Sequence, residues 1–170
     1  MGPKGGSGGC WCMLWRVSRK EYDEGKAGKN RERLKTCTKS GVPPGLIAYH
    51  NDKPVGWCSV TPRSKLPALD RSRVLKPVDA TPVWSVSCFV IAKGYRRKGV
   101  SLALLSAAGD FVSAQGGNAL EGYPIETARD NYPPVYAWTG LASTFTRAGF
   151  EEVARHSPTR PIMRKYVVPD

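Results

Sequence analysis

A chain of 170 residues, 41% hydrophobic and 24% charged, is long enough to bury a core within one domain. It contains no run of 18 apolar residues, which argues against a membrane-spanning helix. The net charge of +12 calls for an anionic partner: nucleic acid, an anionic surface or a polyphosphate cofactor.

The glycine-rich start, residues 1–9, reads as a flexible tail ahead of a single domain over 10–170, and it lacks the apolar stretch of a secretory signal. The five cysteines are odd in number and scattered, which predicts reduced thiols and a cytoplasmic location. Cys10-Trp11-Cys12 offers two zinc ligands but no second pair follows, and His50 and His156 stand alone, so no metal site is expected.

"CWCMLWRV" alternates weakly and predicts a first strand near 10–17. Ser18 and Glu21 have capping-box spacing and open a short helix. "NRERLKTCTKSG" predicts a second helix ending near Gly41. Strands near 45–50 and 55–60 flank Asn51-Asp52, residue types that tolerate a tight turn. Residues 61–82 carry four prolines and predict an irregular excursion, either a lid, an interaction surface or a solvated loop.

"VWSVSCFVI", residues 83–91, reads as a buried central strand, since β-branched and aromatic residues suit a pleated surface. A helix follows from Val100, with Leu104, Ala107, Ala108 and Phe111 at helical spacing and Gln115-Gly116-Gly117 ending it. "ALEGYPIE" predicts a strand over 119–125. Thr139 is the expected cap of a short helix bearing Leu141, Phe145 and Ala148, closed by Gly149. Two strands around Ser157-Pro158 complete a mixed α/β layer.

Between the central strand and its helix lies "GYRRKGVS", residues 94–101. The first amides of a helix lack intrahelical acceptors and sit at the positive end of the dipole, so such a turn can hold phosphate. Gly99 lets the backbone approach closely, and Arg96, Arg97 and Lys98 add charge. The plainer alternative is a solvated cationic loop. A nucleotide-binding P-loop is nearly matched, but Val100 stands where its lysine belongs.

Arg96-Arg97-Lys98-Gly99-Val100-Ser101 resembles the pyrophosphate loop of the GNAT superfamily of acyl-CoA-dependent N-acyltransferases. "CFVI" before it, the amphipathic helix after it and "STFTRAGF" fall where that superfamily has corresponding elements. "CWCMLWR", "PVWSVSCFV", "EGYPIE" and "SPTRPIMR" are similar to one bacterial branch of it. The resemblance implies a mixed, mostly antiparallel central sheet with helices on both faces and a splayed central strand pair. It implies acetyl transfer from acetyl-CoA to a primary amine of a small molecule, amino acid or peptide, by direct attack in a ternary complex. It also implies that residues 96 to 101 bind the CoA diphosphate and that the backbone of Phe89, Val90 and Ile91 pairs with the pantetheine arm.

By the same resemblance, Phe145 stands beside the cofactor where a thiol-protonating tyrosine is usual, and Trp138 replaces a frequent asparagine. Tyr136 and Tyr123 are the substitute acids, and Glu121 is the candidate base, with a surface carboxylate or ion-pair partner as its alternative role. Cys88 reads as a small buried hydrophobe rather than a nucleophile. Two other functions fit the residues: a basic nucleic-acid-binding module, or a GNAT-shaped CoA-binding scaffold that has lost turnover. The C-terminal strands offer an edge for a homodimer.

Overall fold

The computed structural model describes residues 5, 6, 8–26, 28–128, 132, 133 and 135–168. Residues 1–4 and 7 of the expected tail lie outside that set. Gly9, its last residue, is buried, and its carbonyl accepts from Asn30 Nδ2 at 3.2 Å.

The strand expected over 10–17 does not form. Trp11 and Cys12 take left-handed φ values of 44° and 54°, and the Met13 and Arg16 amides close turns onto Cys10 and Met13. The apolar side chains of this stretch are buried by helices instead: Met13 packs with Tyr22 and Leu34. Those two residues belong to helices α1 (Arg19–Gly25) and α2 (Lys29–Lys39). The expected capping box opens α1, with Glu21 N–H donating to Ser18 Oγ at 3.3 Å and the Ser18 amide to the Glu21 carboxylate at 2.9 Å.

Strands β1 (Gly45–His50) and β2 (Lys53–Pro62) form the predicted hairpin. Asn51 and Asp52 both have positive φ, 46° and 61°, the pattern of a turn that matches the sheet's twist. The excursion after β2 is packed. It holds one turn of helix, α3 (Pro67–Asp70), and its Leu66, Leu69 and Leu75 bury against Tyr123 and Ile162.

β3 (Trp84–Ile91) runs antiparallel to β2, and α4 (Val100–Ala114) crosses over to β4 (Ala119–Gly122). α4 approaches β2 closely because Gly56 has no side chain; a Cβ there would lie 2.8 Å from Val100. Its buried face is Leu104, Leu105, Ala108 and Val112, so Ala107, expected inside, is exposed. Helix α5 (Ala142–Arg147) is capped by Leu141 in extended backbone and not by Thr139, whose hydroxyl instead accepts from Arg160 at 2.8 Å. β5 (Glu151–Arg155) and β6 (Pro161–Tyr166) finish a six-stranded sheet ordered β1-β2-β3-β4-β6-β5 among the described residues.

All of the sheet's pairings are antiparallel except β3 with β4. That parallel pairing lasts three rungs, Trp84 to Val86 against Leu120 to Gly122. Beyond them the strands part. One sheet face, with Leu120 and Met163, lies in the core beside α4; the other, with Tyr123 and Ile162, lies under the excursion. No helix among the described residues is long and apolar enough to cross a membrane.

Candidate active site

Where β4 leaves β3, the remainder of β3 from Ser87 to Ile91 forms one wall of a cavity of about 1020 Å³. A bulge sits at its inner end. Ser59 faces Cys88 and Val60 faces Val86, so Ser87 is the extra residue, and its hydroxyl donates to Ser59 Oγ at 3.1 Å. Bulges re-aim a strand locally, and this one lies where β3 parts from β4.

At the outer end the cavity reaches the turn into α4. Arg97 adopts a left-handed φ of 59° and Gly99 one of 78°. The first α4 bond runs from the Ala103 amide to the Gly99 carbonyl at 3.0 Å. The N-cap, being glycine, supplies no side-chain cap to the amides that precede Ala103. A Cβ on Gly99 would meet nothing within 4 Å, so the backbone there is open on the side where a side chain would project. Arg96, Arg97 and Lys98 are exposed around this turn. Arg96 Nε caps the Ile91 carbonyl at 3.1 Å, and Lys98 lies over the Tyr95 ring at 5.6 Å.

Of the expected cofactor-binding residues, the structure gathers Phe89, Val90, Ile91, Arg96, Arg97, Gly99, Val100 and Ser101 on the cavity wall. Lys98 lies within the same turn. The Ala92 amide bonds the Val55 carbonyl of β2, so by alternation Ile91 N–H and Phe89 N–H face away from β2, into the opening. Phe89 N–H is already engaged there by the Trp138 carbonyl at 2.6 Å. Phe145 is in the core, not on the wall. Its ring is fully buried, edge-on to Phe89 (centroids 6.2 Å) and Phe150 (4.9 Å), because Gly122 and Gly140 leave room for it.

The expected catalytic residues are not brought to this cavity. Glu121 is 1% exposed, with Oε2 at 2.8 Å from Arg164 Nη2 and Oε1 at 3.3 Å from Arg63 Nη1. Tyr123 shares that sheet face, as its spacing implies, and donates to Glu121 Oε1 at 3.0 Å while Arg63 donates to its hydroxyl at 2.7 Å. Burial and the neighbouring Glu121 carboxylate push the Tyr123 phenol above its usual value, which makes it a poor acid. Arg164 extends the network to Asp79 at 2.7 Å and holds that carboxyl well below the ordinary range. This side of β4 is occupied by a satisfied charge network. Tyr136 is exposed and stacks edge-on to Tyr132 at 6.4 Å, beyond the cavity wall.

Several wall residues were not expected in the site from the sequence. Cys12 accepts from Trp57 Nε1 at 3.2 Å and from the Cys88 thiol, and these donors hold its thiol below the ordinary value. The Cys88 thiol is raised in turn. Thr144 and Arg147 face the cavity from α5, and Trp15 and Trp138 form an aromatic corner, with centroids 6.1 Å apart and planes at 31°. Only long-range packing brings these groups together, so no spacing in the chain marks them. Among the described residues no cluster of three metal-ligating side chains occurs.

The family profile described as "Acetyltransferase (GNAT) family" matches residues 11–133. A solved GNAT-family structure from Desulfovibrio desulfuricans superposes with a TM-score of 0.52 at 19% identity, over 93% of this chain and 92% of that one. An aminoglycoside 6′-N-acetyltransferase complexed with coenzyme A superposes with a TM-score of 0.51 at 14% identity, over 95% and 90% of the two chains. At those identities the likeness is one of fold. No curated protein sequence matches the chain.

Proposed function

The chain belongs to the GNAT family of acetyltransferases, and from that premise we propose that it transfers an acetyl group from acetyl-CoA to a primary amine by direct attack within a ternary complex. The single observation that carries this reading is the turn into α4. Its left-handed Gly99 lacks a side-chain cap and sits among three cations, at the mouth of a cavity that follows the edge of β3 left by β4.

In this reading residues 96–101 hold the diphosphate through backbone amides, and Arg96, Arg97 and Lys98 neutralise its charge. Ser87 to Ile91 present backbone groups to the pantetheine arm as a neighbouring strand would. Four residues at roughly 3.3 Å each carry the arm some 13 Å inward, which brings the thioester beside the Ser87 bulge. Phe89 N–H, once it exchanges its bond to Trp138, polarises the thioester carbonyl, while Ile91 N–H, nearer the diphosphate, pairs with the pantetheine arm. Holding amine and thioester in register supplies much of the acceleration. For the departing thiolate we assign Thr144 as the hydroxyl partner. It lies on the wall one position before the buried Phe145.

A CoA-binding scaffold without turnover remains the competing reading, favoured by the buried Phe145 where an acid is usual. The nucleic-acid reading is not favoured by the family.

Calorimetry with acetyl-CoA tests the proposal, together with a Gly99→Glu variant checked for folding. Saturable binding to the parent protein, lost by tenfold or more in the variant, is expected. No heat on titration, or equal affinity in the folded variant, overturns it. Thiol release across an amine panel then separates an enzyme from a scaffold.

A further inference from the structure

The cavity is also lined by Leu14, Trp15, Tyr22 and Trp138 together with the Cys12 thiol. Trp15 is tied to the excursion that follows β2, since its carbonyl accepts from the Ala68 amide at 3.1 Å, and Trp138 reaches β3 at Phe89. The two indoles both line the cavity, with ring planes 31° apart, and form an aromatic corner. The charged side chains on the wall among the described residues are all cations: Arg147 on α5, and Lys93, Arg96 and Arg97 in the turn before α4.

We infer that the acceptor is a primary amine with a flat, apolar body and at most one positive charge, its aryl face against Trp15 and Trp138. The inference rests on the acyl-transfer reading and names its substrate class. Three physical effects point the same way. An aromatic corner gives its largest return to a ring, through apolar burial and tilted ring contacts. Arg147 and desolvation both disfavour an ammonium, so they release the neutral nucleophile from a monoamine without a dedicated carboxylate. A polycation meets the same field with every additional charge, and the wall gives it no anionic partner among the described residues. Aminoglycosides, the substrates named for one similarly folded protein, are therefore poor acceptors here.

The test compares kcat/KM for tryptamine, spermidine and an aminoglycoside by thiol release from acetyl-CoA. It is paired with a titration of tryptamine into the acetyl-CoA-free and the CoA-bound protein, which requires no turnover. Tryptamine should exceed both polycations by tenfold or more. Trp15→Ala should raise its KM by a similar factor with acetyl-CoA affinity unchanged, and Trp15→Phe should restore most of the loss. Faster turnover of either polycation overturns the inference, as does failure of tryptamine to bind at millimolar concentration. If acetyl-CoA itself does not bind, the acyl-transfer reading falls, and the tryptamine titration still decides whether the aromatic corner accepts a flat amine.

Discussion

The Phe89 amide donates to the Trp138 carbonyl at 2.6 Å, so a loop stands beside β3 at the position that β4 has vacated. That bond and a pantetheine contact at the same amide exclude one another. Saturation with CoA should therefore shift the Phe89 amide resonance in a nitrogen–proton spectrum more than those of Cys58 and Val60 on the covered strand. An unmoved Phe89 resonance in a saturated sample would remove this amide from the binding surface.

Glu121 lies between two arginines that are 8% and 4% exposed, and its removal leaves each with one more exposed carboxylate, Asp70 or Asp79. Glu121→Ala should cost roughly 3–5 kcal/mol in urea unfolding, the usual loss when one partner of a buried ion pair is deleted. Thiol release per folded molecule should stay near the parent value. A stable variant with abolished turnover would restore the carboxylate to the chemistry.

Acid should weaken the fold. The Asp79 carboxyl is depressed chiefly by its hydrogen bond from Arg164, and those of Glu21 and Glu152 are also lowered, by Ser18 and Arg155 respectively. A depressed folded value means the stabilisation is present above the unfolded value, near 4, and is lost as pH falls through the folded one. The melting temperature should decline from about pH 4 downward, and Asp79→Asn should start lower at neutrality and decline less. An identical slope in the variant counts against the Asp79–Arg164 pair.

Gly122 and Phe145 are fitted to each other. A Cβ on Gly122 would overlap the Phe145 ring, which fills the space behind β4. Gly122→Ala should destabilise by about 1–3 kcal/mol through overpacking, measured by denaturant unfolding. Pairing it with Phe145→Leu should recover part of that loss, and strict additivity would show that the two sites do not touch.

The thiols should differ in reactivity. Cys12 has its thiol lowered by donors from Cys88 and Trp57, whereas burial raises Cys58. Thiolate is the reactive form, so a small alkylating agent should label Cys12 well before Cys58, and acetyl-CoA should protect Cys12. Peptide mapping by mass spectrometry reads both outcomes. Faster labelling of Cys58 would contradict the arrangement.

What was legible in the sequence was local. Ser18 with Glu21, Asn51 with Asp52, and Gly99 before an apolar helix each act over a few residues, and each appears in the structure as the spacing implied. The failures came from distance. The short apolar stretch at 10–17 has the pattern of a strand, yet α1 and α2 bury Met13, so left-handed turns at Trp11 and Cys12 are tolerated. Glu121 reads as either a cleft base or an ion-pair partner, and Arg63 and Arg164, 58 and 43 positions away, could not be named as its partners from the chain. The aromatic corner joins residues 15 and 138, and no period in the chain could announce that meeting.

Three parallel rungs are the only strand pairing among the described residues that joins the leaf β1–β2–β3 to the leaf β4–β6–β5. Pulled apart across that seam, the protein should rip there before either leaf unzips. A guest laid along Ser87 to Ile91 would act as mortar in the joint, so the molecule that delivers the acyl group would also be a removable piece of the masonry.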